Sequence, residues 1–187
     1  MKLKKKVFLL ILFRIIFKEF NYLEIEDVIS VGKFRIFLQL LLSKLEGRKD
    51  FYALMPLNSK VVDLQKIEIN GNLCGSNLIR SLISSKLYLQ AINGIKIHSS
   101  VLIGPDVKII SANHDLQNYS RWIQDDPIII NKNVWIGANV VILPGVNIGS
   151  NCVIGAGSIV TKSFEDNSII CGNPAQLIKK NSVSIIS

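Results

Sequence analysis

Ile130-Asn-Lys-Asn-Val-Trp-Ile136-Gly-Ala-Asn-Val-Val-Ile142-Leu-Pro-Gly-Val-Asn-Ile148-Gly-Ser-Asn-Cys-Val-Ile154-Gly-Ala-Gly-Ser-Ile-Val160 returns an aliphatic residue at every sixth position. Val134, Val140, Val146, Cys152 and Ser158 place a small or β-branched residue four positions after the first five of them. A period of six fits neither a helix, at about 3.6, nor a simple strand, at about 2. It marks a chain wound into flat coils, each side one six-residue unit. With three sides to a coil, Ile130 stacks on Ile148, Ile136 on Ile154 and Ile142 on Val160. Strands stacked in this way lie about 4.8 Å apart, so each inward aliphatic has a neighbour above and below. Gly137, Gly149, Gly155 and Asn133, Asn139, Asn151 suit the tight corners, because both residue types tolerate positive φ.

The same phase appears upstream at Ile97, Ile103 and Ile109. Continued from Ile109 it puts the next inward residue at 115, yet the rhythm resumes at Ile130. The spacing therefore predicts a loop over 115–129 thrown out of the coil, with His114 at its root. A long loop on a rigid scaffold commonly carries function. Between 73 and 96 the phase is poor, since Ser85 and Ala91 stand where aliphatics are expected, and the region reads as irregular early coils.

Composition bounds the rest. A chain of 187 residues, 49% hydrophobic, has ample material for one core. Division falls into a helical segment at 1–50 and a coil domain at 51–187. The net charge of +8 is concentrated at the start: residues 1–50 hold 11 Lys/Arg against 6 Asp/Glu, leaving 11 against 8 for the remainder. A folded domain so nearly balanced lacks the basic face that nucleic acid requires. Lys2 to Lys6 precede the apolar run Val7–Phe17, and a second apolar stretch spans Phe34–Leu42. Neither reaches the roughly 20 residues that cross a bilayer. Such segments can lie in a membrane interface, or pack on the coil or a sister subunit. No small-residue cleavage site follows the first run, so the expected location is the cytoplasm, with contact at the inner membrane face as one option. Cys74, Cys152 and Cys171 form no closely spaced framework; Cys152, at an inward position, reads as a compact apolar group.

Five motifs occur in order on this one periodic scaffold: Ser111-Ala-Asn-His-Asp115, Asn133-Val-Trp-Ile-Gly-Ala138, Pro144-Gly145, Gly155-Ala-Gly-Ser-Ile-Val-Thr-Lys162 and Gly172-Asn-Pro-Ala175. In that order they resemble the hexapeptide-repeat acyltransferases, and more narrowly the O-acetyltransferases of sugars and cell-surface polysaccharides. The resemblance covers about residues 92–180. It implies a mainly β fold, a left-handed parallel β-helix, assembled as a homotrimer with acetyl-CoA as co-substrate in the groove between subunits. It implies that His114 is the catalytic base, that Ala138 and Ala156 lie against the pantetheine arm, and that Trp135, Thr161, Lys162 and Lys179 contact the same molecule. Gln176 departs from the pattern, standing where relatives often carry a second base. Asn113, Asp115, Tyr119 and Trp122 are the candidates for the sugar or glycan acceptor, with Asp115 either orienting the imidazole or capping the loop, and Tyr119 and Trp122 either lining the acceptor pocket or pinning the loop by aromatic packing.

Elementary chemistry agrees. Moving an acetyl group from a thioester to a hydroxyl needs a base for the hydroxyl proton, and imidazole is suited to take and return it. The oxyanion needs fixed donors, for which backbone N–H groups on a tightly turned wall serve. Two other readings share the scaffold: N-acetylation of a nucleotide-linked amino sugar, and a non-catalytic coil kept for assembly. A zinc site would need several converging histidines, and the chain has only His98 and His114, so no metal is expected.

Overall fold

The structure, a computed structural model, describes residues 55–182 apart from Leu57 and Cys74. The expected N-terminal helical segment and its membrane contact lie outside the described residues. Among the described residues no helix is long and apolar enough to cross a membrane.

Three parallel sheets wrap a single column of aliphatic side chains. The first sheet stacks β1 (Lys60–Val62), β3 (Leu87–Gln90), β6 (Val107–Ile110), β11 (Val141–Ile142) and β14 (Ile159–Val160). The second stacks β5 (Leu102–Ile103), β10 (Trp135–Ile136), β13 (Val153–Ile154) and β15 (Ser168–Gly172), with β16 (Ala175–Lys180) returning antiparallel on β15. The third stacks β2 (Ile67–Asn70), β4 (Ile95–His98), β9 (Ile128–Ile130) and β12 (Asn147–Ile148), extended by a bridge from Ile148 to Phe164. Each coil visits the third, second and first sheets in turn. The expected register holds: Ile130 pairs with Ile148, Ile136 with Ile154 and Ile142 with Val160.

The small and β-branched positions complete the core, with Val134, Val140, Val146, Cys152 and Ser158 all buried. Cys152 is fully buried, and burial pushes its thiol up from the ordinary 9.0.

The two corner residue types do different work. Asn133, Asn139 and Asn151 all take φ 58, as expected. Along one edge the side chains of Asn133 and Asn151 also form a ladder with Asn167, Asn133 Nδ2 donating to Asn151 Oδ1 and Asn151 Nδ2 to Asn167 Oδ1, each at 3.2 Å. Gly137, Gly149 and Gly155 are absent from the positive-φ residues, contrary to expectation. Their reason is close stacking of coils: a Cβ on Gly137 would lie 2.6 Å from the Ala156 nitrogen, and one on Gly104 2.7 Å from the Ala138 nitrogen.

Residues 73–96 also differ from expectation. A helix, α1 (Asn77–Ser84), takes the place of a second-sheet strand between β2 and β3. Ser76 caps it by accepting from the Ile79 N–H at 3.2 Å, and Leu78, Ile79, Leu82 and Ile83 form its buried face. The helix covers the open edge of the second sheet. Ser81 Oγ accepts from the Ile103 N–H at 2.9 Å, and Leu78 N–H donates to the Ser99 carbonyl at 3.1 Å.

Candidate active site

The coil opens at the edge between the first and third sheets. After β6 the chain leaves as a hairpin of β7 (His114–Asp115) and β8 (Asn118–Trp122), and it re-enters at β9. Re-entry comes earlier than the rhythm predicted. Ile128 already pairs with Ile95 and is buried, because β9 alternates inward at 128 and 130.

Polar contacts fix the neck of this hairpin. Asn93 Nδ2 donates to the Ser111 and Ile123 carbonyls, both at 2.9 Å, while the Asn93 N–H donates to Ser111 Oγ at 2.9 Å. One amide thus ties the outgoing leg to the returning leg. Buried Gln90 holds the outgoing leg again, its Oε1 accepting from the Ala112 N–H at 2.9 Å. The Ile123 N–H donates to the Asn113 carbonyl at 2.8 Å and closes the neck.

Beyond the neck stand the acceptor-side candidates. His114 and Asn113 are exposed, and the His114 ring lies 3.8 Å, centroid to centroid, from that of Trp122. Asp115 Oδ1 accepts from the Gln117 N–H at 2.8 Å, a turn cap within the hairpin. Tyr119 is 72% exposed on β8.

The co-substrate candidates divide between two edges and a face. Ala138 and exposed Ala156 stack on the edge between the second and first sheets, beside Gly104, Gly137 and Gly155. Small side chains leave the backbone of that edge open to a thin, flexible ligand. Thr161 and Lys162 are exposed just after β14, two coils along from Ser111 on the hairpin's own edge. Lys162 Nζ donates to Gln176 Oε1 at 3.1 Å and sits 5.7 Å from the centre of the Phe164 ring. Trp135 is 54% exposed on the outer face of the second sheet, in register with Leu102 and Val153. Lys179 is exposed on β16 opposite Ile169. The structure therefore groups His114 with Asn113, Asp115, Tyr119, Trp122, Thr161 and Lys162 along one edge, and sets Ala138 and Ala156 across the first sheet.

Sequence reasoning missed Asn93 and Gln90. The available signal was a long polar side chain at Gln90 in an otherwise apolar strand, followed at once by Asn93-Gly94. The second histidine, His98, is on the third sheet, where its Nδ1 accepts from the Ser100 N–H at 3.1 Å.

The chain is similar in sequence and in structure to known proteins. Residues 127–162 match the family model described as hexapeptide repeat of succinyl-transferase. The galactoside O-acetyltransferase of Escherichia coli (strain K12) is 44% identical over 89 residues, covering 46% of this chain and 43% of that protein. A second protein of the same strain, provisionally named a lipopolysaccharide biosynthesis O-acetyl transferase, is 32% identical over 110 residues, covering 52% of this chain and 56% of its own. The match thus spans about half the length of these curated relatives. The crystal structure of a maltose O-acetyltransferase from Clostridium difficile 630 superposes with a TM-score of 0.52 at 28% identity, covering 83% of this chain and 89% of that one. The coil has the left-handed parallel β-helix architecture of such proteins.

Proposed function

We propose that this chain is a hexapeptide-repeat acetyltransferase, a reading supported by the family-model match over residues 127–162 and by the similarity to sugar O-acetyltransferases, and that it moves an acetyl group from acetyl-CoA to a hydroxyl of a sugar, within a cell-surface polysaccharide or its precursor. The observation that carries this reading is His114, exposed on a hairpin whose neck is fixed by Asn93 and Gln90. In the reaction the imidazole takes the proton of the acceptor hydroxyl as its oxygen attacks the thioester carbonyl. The tetrahedral intermediate then collapses, the carbon–sulfur bond breaks, and the leaving thiolate receives the proton from the imidazolium. Backbone N–H groups at the neck or along the Gly104–Gly137–Gly155 edge supply fixed donors for the oxyanion. The pantetheine arm runs along Ala138 and Ala156 beside Trp135, and Thr161, Lys162 and Lys179 meet the more distant, charged part of the molecule.

The separation of the two edges supports a homotrimer, in which the hairpin edge of one subunit faces the small-residue edge of the next. The polysaccharide acceptor rests on the similarity to the lipopolysaccharide-related protein and on the basic, apolar residues 1–50, which would bring the enzyme to lipid-linked acceptors at the inner membrane face.

A thioester-cleavage assay with acetyl-CoA and a panel of hydroxyl acceptors tests the proposal. His114→Ala is expected to lower turnover by about 10²–10⁴-fold. Equal rates in the two proteins would leave only an assembly scaffold. Loss of one acetyl mass per repeat from surface glycans of cells lacking the chain would identify the acceptor class.

A further inference from the structure

We infer that Trp122 is a positioning residue for the His114 imidazole rather than a platform for the acceptor. The inference rests on His114 being the base of the proposed reaction. Its starting point is local geometry. His114 and Trp122 are cross-strand partners in the hairpin. The next pair towards the coil, Asn113 and Ile123, is joined by a backbone hydrogen bond of 2.8 Å. Asn93 ties that same neck to the coil by donating to the Ile123 carbonyl. The backbones at both ring-bearing positions are therefore set within one residue of a fixed point.

From there the side chains meet directly. The ring centroids are 3.8 Å apart with an interplanar angle of 31°. Contact this close covers one face of the indole with the imidazole, so that face is closed to a sugar ring. It also removes a freedom that an exposed histidine otherwise has, rotation about its two side-chain bonds. Among the described residues no hydrogen bond holds a His114 ring nitrogen, and the Asp115 carboxylate accepts from the Gln117 N–H. Stacking orients the ring while leaving a ring nitrogen available to accept and then return a proton. Tyr119, 72% exposed on β8, leaves an aromatic surface for the acceptor that the imidazole does not cover.

The test combines kinetics with a spectroscopic readout. In Trp122→Leu, kcat is expected to fall about 10–100-fold, the range for a displaced reacting group, with KM for acceptor and for acetyl-CoA within about twofold of wild type. Trp122→Phe retains a stacking face and is expected to recover most of kcat. The proton NMR spectrum should show His114 ring protons shifted upfield by the indole ring current, and that shift should vanish in Trp122→Leu. Assignment is simple, because the chain has two histidines and His114→Ala removes one set of signals. A rise in acceptor KM at unchanged kcat would make Trp122 an acceptor platform and overturn the inference. So would the same His114 shifts with and without the indole. Wild-type turnover in His114→Ala is a different failure: it removes the base itself, and the ring-current signature would then report a stack without a catalytic purpose.

Discussion

The coils from Ile128 to Val160 and the hairpin from Asn113 to Ile123 are neighbours in sequence but are held together by different means. In the coils each inward side chain is packed by equivalents above and below, as Ile142 is by Ile109 and Val160. In the hairpin a few individual contacts decide the shape: one amide at Asn93, one at Gln90 and one ring pair. Redundant packing makes the coil tolerant in shape and costly to hollow out. Singular contacts make the hairpin cheap to disturb, with the consequence falling on chemistry. Stability and turnover should therefore separate along this boundary.

Emptying the coil is the most severe way to test that separation. Ile142→Ala removes a fully buried side chain and is expected to cost about 2–5 kcal/mol of stability, measured by urea unfolding. Loss of turnover without loss of stability would break the comparison at its centre. Gly137→Ala comes next. The new Cβ would meet the backbone nitrogen of Ala156 at 2.6 Å, so two coils must separate, at an expected cost of about 1–3 kcal/mol.

Legibility followed the same boundary. The coil was readable because every inward position repeats the same demand, so Ile130 through Val160 announce one geometry six residues at a time. The helix Asn77–Ser84 was obscured because two coil-like stretches flank it, although Ser76 and the spacing of Leu78, Ile79, Leu82 and Ile83 carry an ordinary helix signal. For the site, a single histidine at the break in the rhythm could be picked out. Asn93 could not, because its partners Ser111 and Ile123 are 18 and 30 residues away and no local pattern links them. The glycines were placed at the right positions for the wrong reason, since close stacking and positive φ favour the same residue.

Two milder changes sharpen the contrast. Asn93→Ala removes both ties at the hairpin neck. The expected outcome is about a tenfold fall in turnover, with at most about 1–2 kcal/mol lost from stability. Steady-state kinetics beside a thermal melt would check both halves. The smallest effect concerns pH. The buried Cys152 thiol titrates above its ordinary 9.0 in the folded chain, so above that pH the unfolded state sheds the proton first. Its contribution to stability is complete below pH 9 and is lost as pH rises further. The alkaline slope of stability should be shallower in Cys152→Ala than in wild type.

The parallel coil also works as a ruler. Ser111, where the hairpin departs, and Lys162 lie on the same edge two strand spacings apart, about 9.6 Å. Adding or deleting a complete turn between them would change that distance only by one fixed increment, while every other contact in the wall could be kept. The span of a ligand held between the two points is thus adjustable in discrete notches, and a partial insertion would throw the two ends onto different sides of the prism.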